Sequence, residues 1–315
     1  MKALFWLTIA LFLLALFFAV SKLKNQSEEK LNPPVAEGEE PSPTLIPQPV
    51  SLSVFPDTLL QGEFARITIA GLVLISTIKS LTLDGKPLAV FVDEDTVGAL
   101  VGIDLHRKPG SYLITLTLLD DRKIEKKIEV KQRTMATTEF DIPEQLGGNT
   151  PQAEHALTST LANDKAIIDP VTSFVGKEKL WNGPFQLPLG GTPIITDVYG
   201  YSRETGSVTL SHNGTDFRAA VGTPVYAMNS GTVALAQTLR NYGHTVIIDH
   251  GLGLMTMYMH LSESNVRPGD SVEKGDSIAR SGNTGYSLGP HLHLSVRIDG
   301  FSIDPMKFLE LMGSK

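Results

Sequence analysis

The octapeptide HLHLSVRI, residues 291–298, alternates polar and apolar side chains without a break. Period-two alternation is the signature of a strand with one buried face. It places His291, His293, Ser295 and Arg297 on one side and Leu292, Leu294, Val296 and Ile298 on the other. Beyond Trp181 no long helical periodicity appears before the short DPMKFLELM near the end, so the constraint is on class: the chain reads as mainly β.

Six of the eight histidines fall between His212 and His293. In MTMYMHLS the same alternation puts Met255, Met257 and Met259 on a core face, and Thr256, Tyr258 and His260 opposite. In LSHNGTDF an extended backbone sets His212, Gly214 and Asp216 on one side, with Gly214 leaving room between imidazole and carboxylate. The same letters allow a second reading. Asn213-Gly214 is a strong two-residue hairpin turn, and a hairpin would send His212 and Asp216 to opposite faces. A lone histidine is more often structural than catalytic. Together these residues supply what a catalytic zinc needs, three N or O ligands with one open position, plus imidazoles able to carry protons at neutral pH.

The chain contains no cysteine, which excludes disulfides, thiolate catalysis and Cys-ligated zinc. Its net charge of −7 provides no basic stripe for nucleic acid. Near the N-terminus, Ala3 to Val20 run eighteen residues without a charge, between Lys2 and the pair Lys22 and Lys24. That length just spans a bilayer core and exceeds most signal-peptide apolar regions. The expectation is an uncleaved membrane anchor, with a cleaved signal as the alternative, and the flanking lysines do not set its orientation.

The organisation expected is a membrane anchor over 1–24, a Pro/Glu-rich linker over 25–50, a small β-sandwich over 51–132, a connector over 133–182 and a second β domain over 183–315. Within the sandwich, Ala65, Ile67 and Ile69 share a face, as do Ile114, Leu116 and Leu118. Asp84-Gly85 and Pro109-Gly110 mark turns, and His106, Asp93 and Glu94 read as surface or loop residues. In the connector, EHALTSTLAND suggests a short helix with His155 exposed, and His250 reads as structural.

HNGTDF, YMHLS and GNTGYSLGPHLHLSV, in this order, resemble the lysostaphin/LytM-type zinc metallopeptidases, which cut peptide crosslinks in bacterial peptidoglycan. The resemblance covers about 183–308 and includes GTPVYAMNSGTV and the closing DGFSIDP. The 51–132 region similarly resembles the immunoglobulin-like domain preceding some of these peptidases. The resemblance implies an antiparallel β domain of the duplicated hybrid motif and one zinc per chain. It implies His212, Asp216 and His293 as metal ligands and His260 and His291 as catalytic histidines, favouring the extended reading over the hairpin. His244 departs from the family, where many relatives have Asn. Two other functions stand beside the hydrolase: an inactive regulator of a separate amidase, and a structural envelope tether. A peptidoglycan substrate and an extracytoplasmic place at the cytoplasmic membrane complete the expectation.

Overall fold

The computed structural model describes residues 49–71, 75–93, 96–139, 141–206 and 208–313. The expected anchor Ala3–Val20 and nearly all of the linker lie outside the described residues. Among those described, no helix is long and apolar enough to cross a membrane.

Nine strands come first: β1 (Ser51–Phe55), β2 (Thr58–Leu60), β3 (Phe64–Ala70), β4 (Ile78–Leu83), β5 (Lys86–Pro87), β6 (Val90–Asp93), β7 (Thr96–Gly102), β8 (Gly110–Leu118) and β9 (Lys123–Lys131). They form two sheets, ordered β1-β3-β7-β6 and β2-β9-β8-β4-β5. The inward residues are those the alternation marks. Ala65, Ile67 and Ile69 from one sheet meet Ile114, Leu116 and Leu118 from the other in a common core. Asp84 and Gly85, both at positive φ, turn β4 into β5, as a two-residue hairpin requires.

Next come β10 (Thr137–Glu139) and a helix, α1 (Pro151–Thr172). This helix runs 22 residues, well beyond the short segment expected from EHALTSTLAND. Thr150 caps its first turn by accepting from the Ala153 N–H, and Pro151 opens it with a preset φ. Pro170 sits inside its last turn, where a sequence reading would stop a helix. His155 is exposed, as expected.

The remaining strands are β11 (Ile195–Asp197), β12 (Ser202–Thr205), β13 (Val208–Ser211), β14 (Thr215–Arg218), β15 (Pro224–Tyr226), β16 (Gly231–Leu239), β17 (Gly243–Asp249), β18 (Leu254–Ser264), β19 (Ser271–Val272), β20 (Ser277–Ser281), β21 (His291–Ile298) and β22 (Phe301–Ile303). Helix α2 (Pro305–Met312) closes the chain, capped by the Asp304 carboxylate. The main sheet runs β11-β14-β21-β18-β17-β16-β19, with β15, β20 and β22 attached, and β10, β12 and β13 form a separate ribbon.

The first sheets are not a separate bead. Phe64, Phe91 and Leu100 belong to the same core as Trp181, Phe185, Leu294 and Phe308. Phe91 meets Trp181 edge-on at 5.1 Å, and Phe185 meets Phe308 at 4.8 Å. Burying one such ring stabilises by about 2–3 kcal/mol. Asp93, expected as a surface residue, pairs with both Arg66 and Lys179 and so ties β6 to the segment ahead of the second sheet system.

The other face of the main sheet lies under α1. Met255, Met257 and Met259 pack with Leu235, Leu239 and Ile247 against Ile168 of the helix. Asp164 fixes that docking: its carboxylate accepts from Arg240 N (3.1 Å), Asn241 N (2.7 Å) and Asn241 Nδ2 (2.9 Å).

His250 is structural, as expected. It is fully buried, donates Nδ1–H to the Ser230 carbonyl (2.8 Å), and its Nε2 lies 2.8 Å from the Thr256 hydroxyl. Burial lowers its pKa from 6.5 to about 4. The unfolded chain then binds more protons than the folded one between those values. Stability contributed by neutral His250 is complete above pH 6.5 and declines by about 3 kcal/mol as pH falls to 4. Urea midpoints measured across this window should fall with acidity, and His250→Gln should make the fall shallower. An unchanged slope would remove His250 from the account.

Candidate functional site

Asp216 on β14 faces His293 on β21 as a directly opposed cross-strand pair. His212 reaches them from the link between β13 and β14. These two strands do not pair with each other: β13 pairs with β12, while β14 pairs with β11 and β21. The hairpin reading of Asn213-Gly214 is therefore not what the chain adopts. Gly214 instead lies against the site, where an added Cβ would stand 2.3 Å from His293 Nε2.

The three donor atoms converge. His212 Nε2 is 3.1 Å from Asp216 Oδ1 and 3.1 Å from His293 Nδ1, and His293 Nδ1 is 2.7 Å from Asp216 Oδ1. All three residues are buried, with ligand atoms within 4.8 Å of one another. Two imidazoles and a carboxylate are a hard-to-borderline N/O set that suits Zn2+, and the tight convergence fits one ion.

Backbone carbonyls decide which nitrogen of each ring looks inward. His212 donates Nδ1–H to Val198 O (2.8 Å), leaving Nε2 bare toward Asp216. His260 donates Nδ1–H to Thr284 O (2.8 Å), and His291 donates Nδ1–H to Gly289 O (2.8 Å). His291 Nε2 then stands 3.8 Å from Asp216 Oδ1. The ring centroids of His260 and His291 are 4.7 Å apart, and those of His260 and His293 are 6.0 Å apart.

Burial would raise the pKa of Asp216, but the adjacent His293 and His212 imidazoles outweigh it and hold the carboxyl well below its ordinary range. Burial, reinforced by the neighbouring histidines, brings His260 down to about 3; burial brings His293 to about 4. Neutral rings with free lone pairs result, as a metal or a proton requires.

All five histidine and aspartate positions expected from the sequence thus gather at one place, but His260 arrives by an unexpected route. Simple alternation sets it with Thr256 and Tyr258, opposite the methionines. Thr256 and Tyr258 do point into the main core, fully buried. The methionine face is the histidine face, since Met259 pairs with His293 and Met257 with Ser295. His260 adopts φ +58°, at an irregularity where β18 pairs with its neighbours, and this left-handed residue turns its ring onto the methionine side.

Sequence reasoning missed two further participants. Arg203 on β12 donates Nη2–H to Asp216 Oδ2 (2.9 Å) and also pairs with Asp197. The expected connector is present too: Thr138 of β10 pairs with Arg203 in register, and Leu157, Leu161 and Lys165 of α1 line a cavity of about 270 Å³ together with His212, His260 and His293. A second hollow of about 360 Å³ opens beside Asp216 and His291. Arg203 carries no family letter pattern, and only the three-dimensional ribbon brings it to the carboxylate.

Residues 210–305 match the family model of peptidase family M23. The peptidoglycan DD-endopeptidase ShyA of Vibrio cholerae is 44% identical over 96 residues, covering 30% of this chain and 22% of that protein. Lysostaphin of Staphylococcus simulans is 42% identical over 109 residues, covering 32% of this chain and 22% of lysostaphin. The chain therefore spans about a fifth of the length of these relatives. A crystal structure of a peptidase M23 from Pseudomonas aeruginosa aligns with TM-score 0.60 and 25% identity, over 79% of this chain and 94% of that one.

Proposed function

Residues 210–305 form a domain of peptidase family M23, and on that premise we propose that this protein hydrolyses peptide crosslinks of bacterial peptidoglycan with one bound zinc. The observation that carries the proposal is the convergence of His212, Asp216 and His293 with two further imidazoles whose outer nitrogens are pinned by carbonyls.

In this reading His212, Asp216 and His293 hold the metal. Zinc supplies Lewis acidity toward the scissile carbonyl and lowers the pKa of water toward ~7. The chain does the rest. His260 and His291 present bare Nε2 atoms on one side of the triad, where they accept a proton, donate to the developing oxyanion and return a proton to the departing amine. Arg203 anchors the outer oxygen of Asp216, leaving Oδ1 for the ion.

We further assign residues 51–132 to an immunoglobulin-like sandwich, supported by two facing sheets on one core, and 183–315 to the duplicated hybrid motif. Incubating the zinc-loaded protein with purified peptidoglycan and identifying products by mass spectrometry tests the activity. New amine and carboxyl ends at crosslinks are expected. Zinc-loaded protein that releases none, yet stimulates a separate amidase, would establish the regulator instead.

The place of action proposed is outside the cytoplasm, tethered by Ala3–Val20. Its support is the uncharged run of eighteen residues and the wall-directed M23 domain. A reporter enzyme fused after residue 50 should be active only when it functions extracytoplasmically. Signal from a cytoplasm-only reporter would refute this.

A further inference from the structure

One loop holds both catalytic histidines. The link between β20 and β21, residues 282–290, supplies the Thr284 carbonyl to His260 and the Gly289 carbonyl to His291. Its path is fixed from several sides. Thr284 Oγ1 donates to Leu261 O (2.7 Å) and accepts from His244 N (2.9 Å), and Tyr286 N donates to Asn241 O (2.7 Å). Gly285, at φ +73°, lies so close to the turn between β16 and β17 that a Cβ would stand 2.3 Å from Gly243 N.

A further side chain of this loop reaches the His291 ring. Ser287 is only 2% exposed, and its Oγ lies 2.6 Å from Asn283 Oδ1, 2.8 Å from Gly289 O and 3.1 Å from His291 Nδ1. The hydroxyl has one proton to give, and Asn283 Oδ1 is its nearest acceptor. With that proton spent, the Oγ lone pairs face His291. The ring's Nδ1–H is then shared between Gly289 O and Ser287 Oγ as a three-centre bond.

The terminal torsion of a histidine is broad, so its own rotamer preference does not fix the ring plane. One acceptor at Nδ1 sets the tautomer yet lets the ring rock about its Cβ–Cγ bond. Such rocking moves Nε2 relative to Asp216 Oδ1, which stands 3.8 Å away. A second acceptor on the same stiff loop removes that freedom. We infer that Ser287 is a positioning residue for the reaction: anchored by Asn283, its hydroxyl locks the His291 ring with Nε2 toward the triad. The inference rests on the hydrolase reading above. Asn283, Ser287 and His291 follow one another at intervals of four, so a single short stretch carries the ring, its holder and the holder's anchor.

The test uses the full-length zinc-loaded chain with 15N-labelled histidine, and purified peptidoglycan. Ser287→Ala should lower turnover at saturating peptidoglycan about tenfold, with half-saturation and zinc content unchanged. Asn283→Ala should lose less, and Asn283→Asp, which keeps an acceptor at an exposed position, should recover the parent rate. Adding Asn283→Ala to Ser287→Ala should cost nothing more, because Asn283 acts through Ser287. In 1H–15N spectra the His291 Nδ1–H should be sheltered from exchange with water, and Ser287→Ala should broaden it. The His250 Nδ1–H, buried against Ser230 O, should persist in every variant. Full turnover in Ser287→Ala, an unaltered His291 signal, additive losses, or loss of the His250 signal as well would each overturn the positioning role. A parent chain that cuts no crosslink, but whose His291 signal alone is lost in Ser287→Ala, keeps that role and overturns the hydrolase reading instead.

Discussion

His293→Ala is expected to leave the purified protein without stoichiometric zinc and without measurable crosslink hydrolysis. His293 Nδ1 sits 2.7 Å from Asp216 Oδ1 and 3.1 Å from His212 Nε2, so its loss leaves two donors where the ion needs three. His260→Ala and His291→Ala should behave differently. Both rings point at the triad, yet neither belongs to the three-residue cluster. Each variant should retain about one zinc by elemental analysis and lose about 10²–10⁴-fold in kcat, the scale of acid–base assistance. His260→Ala carries an added cost, because Ala is strained at φ +58°; His260→Asn tolerates that backbone and separates the two effects. Equal zinc content in the His293 and His291 variants would reverse the assignment of roles.

Asp164→Ala should destabilise the protein by about 2–5 kcal/mol and loosen α1. The carboxylate answers three N–H groups of residues 240 and 241, and the Asn241 donors are buried, each costing about 1–3 kcal/mol when abandoned. Hydrogen exchange should rise across 151–172, and Met255, Met257 and Met259 should become accessible to an apolar dye. With Leu157 and Leu161 withdrawn from the catalytic cavity, polymeric peptidoglycan should be cut faster than by the parent chain. Zinc content should stay the same. Unchanged protection of α1, or slower cutting by a zinc-replete variant, would show that the helix does not limit access.

The strands and the five clustered residues were legible because period two and short motifs are local properties. Ile67, Ile69, Ile114 and Leu116 could be placed from alternation alone. What escaped depends on distant partners. His260 left its alternation through one left-handed residue, which no hydrophobic pattern records. The methionines were read as a core face, but their cover is Ile168, some ninety residues earlier in the chain. Helix α1 was underestimated because Thr, Asn and Asp dilute its apolar stripe and Pro170 mimics a stop. Arg203 was invisible because no local pattern records that the β12–β13 ribbon carries it to the Asp216 carboxylate on β14.

Phe64 and Phe91 lie in one core with Trp181, Phe185 and Phe308, and Gly102 of β7 sits so close to β21 that a Cβ would meet Ile298 at 3.1 Å. The peptidase part and the leading sheets therefore share one packed interior. A fragment cut at residue 183 would carry raw surfaces on two sides: the aromatic seam left by the first sheets and the methionine stripe left by α1. Recombination that exchanged the leading sheets for those of another protein would have to bring matching aromatics and a matching glycine as well. Inheritance here is expected to run through the whole body from Gln48 onward, and producers of a minimal enzyme will need to redesign both seams before it stays in solution.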